Sequence, residues 1–371
     1  MKRKSTIARV TSIVILSLLS TSQYHCQGVY TDWAHATSGT ISTWGRCNVV
    51  DNSGNSVVAG IFFGPTDFDP GSGSLILDGG SDRDGFVSKY DASGNLLWAK
   101  QVISDNMIEI RSITKDASNN IIITGMYQGN LTFDVNQSST SFTSVGSSDF
   151  FVAKYNTIGN VLWAYSFGAS SEDESYSVNT DNLGNIYLTG YYRGTIDFDP
   201  GVAVFNMTSI GASSSNPNTF ILKLNTSGQF VWAKQFTGGV NYSMSSTVST
   251  NGDVFVGGAF NGTIDFDPGS GVNNLTDASP GNYEDFFICK LSSSGNFVWV
   301  KQMTNSDWSY IQSMELDFTG NLLFSGGYRG TLDFDPGPGT YELTSAGNYD
   351  IYVTKLDATG NFLWAKTTPG S

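Results

Sequence analysis

The chain has 371 residues, and its 19 Lys and Arg against 33 Asp and Glu leave a net charge of −14 at pH 7. That acidic excess argues against nucleic acid and anionic membrane surfaces as partners, and it suits a soluble protein in a salty or calcium-bearing medium. The only histidines are His25 and His35, which leaves little room for histidine-dependent triads or for His-ligated zinc or haem.

The first residues read as an export signal. Lys2, Arg3 and Lys4 form a positive end, Val10–Leu19 an apolar stretch, and Ser20-Thr21-Ser22 a small-residue cleavage region before Gln23. A signal peptide over 1–22 would send the mature protein to the cell surface or the medium. The apolar run is too short to span a bilayer, so no transmembrane segment is expected in the mature chain. Cys26 follows Gln23-Tyr24-His25, a poor approach to a lipidated cysteine; Cys47 and Cys289 follow no spacing, which leaves a disulfide open without indicating one, beside the plainer reading of free buried thiols.

From about residue 29 to 371 the chain repeats one phrase. Its first copy runs DNSGNSVVAG (Asp51–Gly60), TDFDPG (Thr66–Gly71) and DGFVSKYDASGNLLWAK (Asp84–Lys100). Copies close at Trp98, Trp163, Trp232, Trp299 and Trp364, giving repeats of approximately 34–98, 99–163, 164–232, 233–299 and 300–364. Trp33 lies one period before Trp98, like the tail of an earlier copy. A repeat of this length indicates a solenoid, a propeller or an array.

Each copy holds two turns of one kind. The first starts at Asp51, Asp116, Asp181, Ser249 and Asp317, the second at Asp91, Asn156, Asn225, Ser292 and Asp357. The leading side chain can bond forward to the turn backbone, and a glycine three residues on accepts positive φ. In the second copy Asn119 takes the place of that glycine, and asparagine tolerates the conformation next best. Four strand-like runs surround the turns, in the third copy Ser175–Thr180, Asn185–Tyr192, Thr219–Leu224 and Gln229–Phe236. A four-stranded antiparallel meander per repeat cannot bury both its faces alone. Radial stacking buries them and protects most edges, so an all-β β-propeller of about five blades follows, either whole or part of a larger ring.

The repeated tryptophan sits in the fourth strand. Burying an indole removes about 150–250 Å² from water, or roughly 4–6 kcal/mol, which makes it a packing anchor between blades. The lysine of the third strand (Lys89, Lys154, Lys223, Lys290, Lys355) is expected to snorkel along that strand.

The pattern D-x-x-G-N-[IV]-[YF]-[LV]-x-G, then D-F, then D-x-F-V-x-K-[LY]-[DN]-x-x-G-N-x-x-W resembles the SBBP, or bacterial beta-propeller, repeat. DNLGNIYLTG (Asp181–Gly190) and DFFVAKYNTIGNVLWA (Asp149–Ala164) carry the resemblance most clearly. It implies an exported bacterial propeller of the variant that contains FDPG. It implies nothing about activity.

Candidate sites fall into two groups. The first consists of aspartate pairs that end strands: Asp67 and Asp69, Asp197 and Asp199, Asp265 and Asp267, Asp333 and Asp335. Residues two apart in extended chain share a face. Each pair could hold Ca²⁺, the one metal the sequence suggests; the alternative is that Asp-Pro-Gly simply ends the strand and Phe68 packs inside. The second group lies in loops between blades, where the phrase is broken: Trp44, Glu109, Asp173, Glu174, Tyr242, Trp308 and Tyr310. Aromatic residues beside acids at a propeller mouth suit an extracellular carbohydrate or protein. Together these features indicate a monomeric, non-enzymatic binding or surface-interaction module without an organic cofactor. The alternative is a five-bladed glycoside hydrolase using axial carboxylates, with Glu109 and Glu174, each eleven residues after a tryptophan, as the pair to test.

Overall fold

A computed structural model describes residues 36–39, 41–133, 139–210, 216–278 and 283–368. The leader, Cys26, both histidines and Trp33 lie outside the described residues. The chain forms five four-stranded antiparallel sheets. The first blade comprises Ser42–Val50, Ser56–Phe63, Asp84–Tyr90 and Leu96–Ser104. In the third blade the strands are Glu174–Thr180, Ile186–Tyr192, Asn218–Leu224 and Phe230–Gln235, within two residues of the expected bounds at every end. The protein is an all-β propeller.

Each blade sends out a short hairpin between its second and third strands, for example Asn130–Phe133 with Thr140–Thr143. The outer strand of the preceding blade runs on to pair with it: Ile103 and Ser104 face Thr132 and Leu131. Ser38 and Gly39 face Asp67 and Thr66 in the same register one period earlier. The residues just after Trp33 therefore behave as the tail of an outer strand.

The core lies between blades. Ile121 and Ile123 pack with Val57, Ala59 and Val87 of the first blade, whereas Ile122 packs with Ile186 and Leu188 of the third. Both faces of a middle strand are thus apolar, which is why strict alternation is weak in the sequence. Similar clusters join the third blade to the fourth and the fourth to the fifth.

The two repeated turns are built as their residues dictate. Asp51 Oδ1 accepts the N–H of Ser53 at 2.8 Å and of Asn55 at 2.9 Å, while Oδ2 accepts from Asn55 Nδ2 at 2.8 Å. Gly54 has φ 81°, and Asn119, with φ 61°, is the one non-glycine residue with positive φ among the described residues. Trp98, Trp163, Trp232 and Trp299 each lie against the second turn of the next blade. A Cβ on Gly159 would sit 2.9 Å from Trp98, and one on Gly228 would sit 2.9 Å from Trp163. Trp98 Nε1 donates to the carbonyl of Thr157 at 3.1 Å, and Trp232 Nε1 to that of Ser293 at 3.2 Å. The tryptophans are packing anchors between blades, but they are half-buried, so each contributes less than full burial would.

The lysines do not snorkel. Lys89, Lys154 and Lys355 form ion pairs with Asp51, Asp116 and Asp317 at 2.8, 2.9 and 2.7 Å, clamping the third strand to the first turn. Burial opposes ionisation of Asp51, but Lys89 and the turn donors outweigh it and hold the carboxyl well below the usual range. In the fourth blade the turn opens with Ser249, and Asp253, four residues on, takes Lys290 at 3.1 Å. In the third blade Lys223 donates to the carbonyl of Ser293 at 3.0 Å and lies 4.8 Å from the Tyr187 ring centroid. Tyr187 in turn donates to Asp181 at 2.9 Å. Cys47 and Cys289 are free thiols.

Candidate functional site

The first strands of all five blades line one axial cavity of about 670 Å³. Every one of these inner strands carries a β-bulge at the same place, at Arg46, Arg111, Tyr176, Met244 and Gln312. A bulge re-aims a side chain, and all five bulged residues line the cavity. Opposite each bulge stands a glycine of the second strand. A Cβ on Gly60, Gly125, Gly190, Gly258 or Gly326 would lie 1.8–2.1 Å from the carbonyl oxygen of Trp44, Glu109, Glu174, Tyr242 or Tyr310, respectively. The last glycine of the repeated phrase is required by this close approach of two backbones.

Five of the seven candidates, expected in loops, stand instead on the inner strands, at one equivalent position two residues before the bulge. The mouth has two tiers. The outer holds Trp44, Glu109, Glu174, Tyr242 and Tyr310, the inner Arg46, Arg111, Tyr176, Met244 and Gln312. Tiers of adjacent blades interlock. Arg46 pairs with Glu109 at 3.1 Å and Arg111 with Glu174 at 2.7 Å, two ion pairs of the same geometry one blade apart. Arg83 adds a second guanidinium to the same Glu109 oxygen. The Arg46 guanidinium carbon lies 5.5 Å from the Trp44 ring centroid, and that of Arg111 lies 4.3 Å from Tyr176.

The remaining two candidates differ. Trp308 is exposed, 5.4 Å from Tyr310 and 5.6 Å from Tyr349 between ring centroids, and Arg329 lies 5.7 Å from the Tyr349 centroid and forks onto Asp307. Asp173 is fully buried and does not reach the mouth. Its two oxygens accept the N–H of Ala169 at 2.7 Å and of Arg193 at 2.8 Å, fixing the loop that presents Glu174. Burial raises its pKa to about 6.

Glu109 and Glu174 do not stand free in the way a general acid and its partner must. Glu109 carries two arginines, and Glu174 carries Arg111 and the Tyr176 hydroxyl. These contacts engage the oxygens that an acid or nucleophile would turn on a glycosidic bond.

Between the third and fourth blades the mouth opens into a side cavity of about 310 Å³, lined by Tyr176, Tyr191, Arg193, Pro217, Val240, Tyr242 and Met244. The Tyr176 and Tyr191 rings are 6.0 Å apart at 34°, and Tyr191 and Tyr242 are 6.5 Å apart at 71°. Burial raises the pKa of all three hydroxyls, that of Tyr176 to about 12, so they stay neutral. Half of the residues lining the axial cavity below carry hydroxyl or amide side chains, among them Asn48, Ser112, Asn179, Ser246 and Gln312, and Arg46, Arg111 and Glu109 line it too. Glu315, also in that lining, has its pKa raised by burial.

The sequence reading missed the inner tier, Tyr191 and Arg193. Its signal was present: the residue thirteen after Trp98 or Trp163 is Arg111 or Tyr176, a position where the repeats disagree.

The strand-end aspartates, which the sequence offers as calcium ligands, each commit one oxygen, Oδ1, to the turn. Asp67 Oδ1 accepts the N–H of Asp69 at 3.0 Å and of Leu75 at 2.9 Å, and Asp69 Oδ1 that of Gly71 at 2.8 Å. Asp197 and Asp199 repeat the pattern, as do Asp265 and Asp267. In the last blade Asp333 Oδ1 accepts the N–H of Asp335 at 3.0 Å and of Tyr341 at 2.8 Å. Asp335 Oδ1 accepts that of Gly337 at 2.8 Å, so Asp335 caps its Asp-Pro-Gly turn and joins Asp333 in no ligand cluster. Phe68, Phe198, Phe266 and Phe334, each between the two aspartates of a pair, are buried. Among the described residues no three His, Cys, Asp or Glu side chains converge as a metal site.

Five stacked meanders around one axis, with a mouth of differing side chains, define a repeat β-propeller. The chain is 26% identical over 328 residues to an uncharacterized WD repeat-containing protein of Acanthamoeba polyphaga mimivirus, covering 74% of this chain and 23% of that one. It is 22% identical over 315 residues to the regulatory protein FlaEY of Caulobacter vibrioides, covering 78% of this chain and 32% of that one. The chain thus spans about a quarter to a third of the curated relatives it matches. Among solved structures it is similar to a protein of unknown function from Bacteroides caccae, at 8% identity and a TM-score of 0.34 over 84% of this chain and 94% of the other. No protein-family model matches the chain. Among the described residues no helix is long and apolar enough to cross a membrane.

Proposed function

We propose that this chain is a non-enzymatic binding module of an exported protein, with an SBBP-type repeat as its scaffold and the axial mouth as its binding face. The observation that carries this reading is the bulge repeated in all five inner strands. One backbone device delivers four kinds of side chain to five equivalent places, as a binding surface requires and a purely structural ring does not. The ligand is an extracellular carbohydrate or protein, and the propeller acts as a monomer without a cofactor. Residues 1–22 are the leader that exports it, and the protein recovered from outside a bacterial host would begin at Gln23.

Immobilised full chain presented with defined polysaccharides and extracellular proteins tests the reading. Capture should be lost in Arg111→Ala combined with Tyr176→Ala, and kept in Leu183→Ser combined with Phe318→Ser at the opposite, turn-bearing end. Loss with the turn-end variant alone would move the binding face and overturn the proposal.

A further inference from the structure

We propose that the tyrosine-lined cavity between the third and fourth blades binds one ring of a neutral saccharide, whose following units enter the axial cavity. This rests on the binding-module reading and names its ligand class. Three features of the cavity carry it.

The first is shape. Tyr191 stands between Tyr176, tilted from it by 34°, and a steeply inclined Tyr242 at 71°, making a corner rather than a groove. At about 310 Å³ it is at the small end of ligand cavities, which start at about 300 Å³. A corner of aromatic faces accepts the C–H face of one ring. A proline-rich peptide needs instead an extended groove that takes successive residues.

The second is charge. Guanidinium groups already lie over two of the rings, Arg111 at 4.3 Å from Tyr176 and Arg193 at 5.3 Å from Tyr191. A cationic ligand would meet both at close range, so this is not an ammonium cage. Each positive group is matched: Arg111 by Glu174, and Arg193 by Glu172 at 2.6 Å. Glu284 accepts from the Tyr242 hydroxyl. An anion therefore finds no unmatched guanidinium here and would meet three carboxylates. A neutral ligand is what remains.

The third is continuity. Tyr176 and Met244 border both cavities. Beyond them lie the hydroxyl and amide side chains of Ser112, Ser177, Asn179, Ser245 and Gln312. These are neutral donors and acceptors of the kind that exchange hydrogen bonds with a chain of hydroxyl groups. An aromatic platform opening onto such a lining matches an oligosaccharide better than an apolar molecule.

The test is calorimetric titration of the full chain with neutral oligosaccharides of glucose, mannose, xylose and N-acetylglucosamine. Sialylated and sulfated glycans, choline and a proline-rich peptide are run beside them. At least one neutral oligosaccharide should bind, with affinity falling about tenfold or more in Tyr191→Ala and recovering in Tyr191→Trp at unchanged melting temperature. Tyr242→Ala provides a second variant should Tyr191→Ala unfold. Binding confined to anions, choline or peptide, or neutral-glycan binding indifferent to both tyrosines, overturns the saccharide assignment and leaves the binding module standing. No binding from any of these classes, nor in the wider capture experiment, removes both.

Discussion

At one end of the blades the chain says nearly the same thing five times; at the other the residues change around the ring, though an Arg–Glu pair recurs. The turn end is built from Asp51, Asp116, Asp181 and Asp317, with Asp253 substituting from a neighbouring position, and from lysines paired with four of these five carboxylates. The mouth carries Trp, Glu, Glu, Tyr and Tyr in one tier and Arg, Arg, Tyr, Met and Gln in the next. Both ends use ion pairs, but those of the turns in the first two blades are nearly sealed from water, and those of the mouth are partly open. Side-chain exposure is 3% and 7% for Lys154 and Asp116, against 41% and 15% for Arg46 and Glu109. The turn end holds the sheets, and the bulge with its facing glycine lets the mouth vary without disturbing them.

The sharpest way to break that contrast is to remove a cation at each end. Lys154→Met should leave Asp116 as an uncompensated buried charge and cost about 3–5 kcal/mol in denaturant unfolding. Arg46→Ala, at an open pair, should cost less than about 1 kcal/mol. Equal losses would mean that the two ends do not differ in this way.

The link between the ends is tested by glycine. Gly125→Ala and Gly190→Ala place a Cβ 1.8–1.9 Å from a carbonyl oxygen that cannot move without undoing the bulge. A loss of about 3 kcal/mol is expected. Gly320→Ala meets no atom within 4 Å and is strained only by its φ of +82°, so it should cost about 1 kcal/mol.

The fold was readable because its determinants are local and recur. A turn of the Asp51 type announces itself in five residues, and a tryptophan every 65 to 69 residues sets the period. The mouth was readable by default, as the places where recurrence fails, which is how Glu109, Glu174, Tyr242 and Tyr310 were reached. Arg46, Arg111 and Tyr176 were not reached, because a bulge leaves no residue type behind it. Its one trace is a glycine on another strand, and that glycine sat inside the repeated phrase looking like part of the strand. The lysine pairs were hidden for a similar reason: Lys154 and Asp116 are 38 residues apart and meet only when the third strand lies beside the first turn.

A smaller effect separates the mouth loops from the turns by their acids. Turn aspartates such as Asp51 and Asp357 are held below the usual range, the latter at about 2, where turn donors outweigh burial. Asp149, beneath the loop that carries Glu174, is raised to about 7 by burial, with Asp173 nearby adding to it. Its folded pKa exceeds its unfolded one, so its protonated form favours folding, and stability falls as pH rises from about 4 through 7. Asp149→Asn should remove this loss. The third blade already carries Asn218 in the equivalent place, accepting an N–H from Ile210. The variant should match the parent near pH 4 and melt a few degrees higher above pH 7, on the order of 3 °C. A constant difference across pH would assign the effect to packing instead.

The least expected change is with calcium. In each Asp-Phe-Asp strand end, the first carboxylate takes two backbone N–H groups through a single oxygen, and the second takes one, from Asp67 and Asp69 in the first blade to Asp333 and Asp335 in the last. Calcium asks for six to eight oxygens, and each strand end offers it only the second oxygen of two carboxylates, well short of that number. Added Ca²⁺ should therefore leave the melting temperature unchanged. A rise that disappears in Asp199→Asn combined with Asp267→Asn would show that these strand ends bind the ion despite their hydrogen bonds. The axial mouth would then no longer be the only part of the propeller built to meet a ligand.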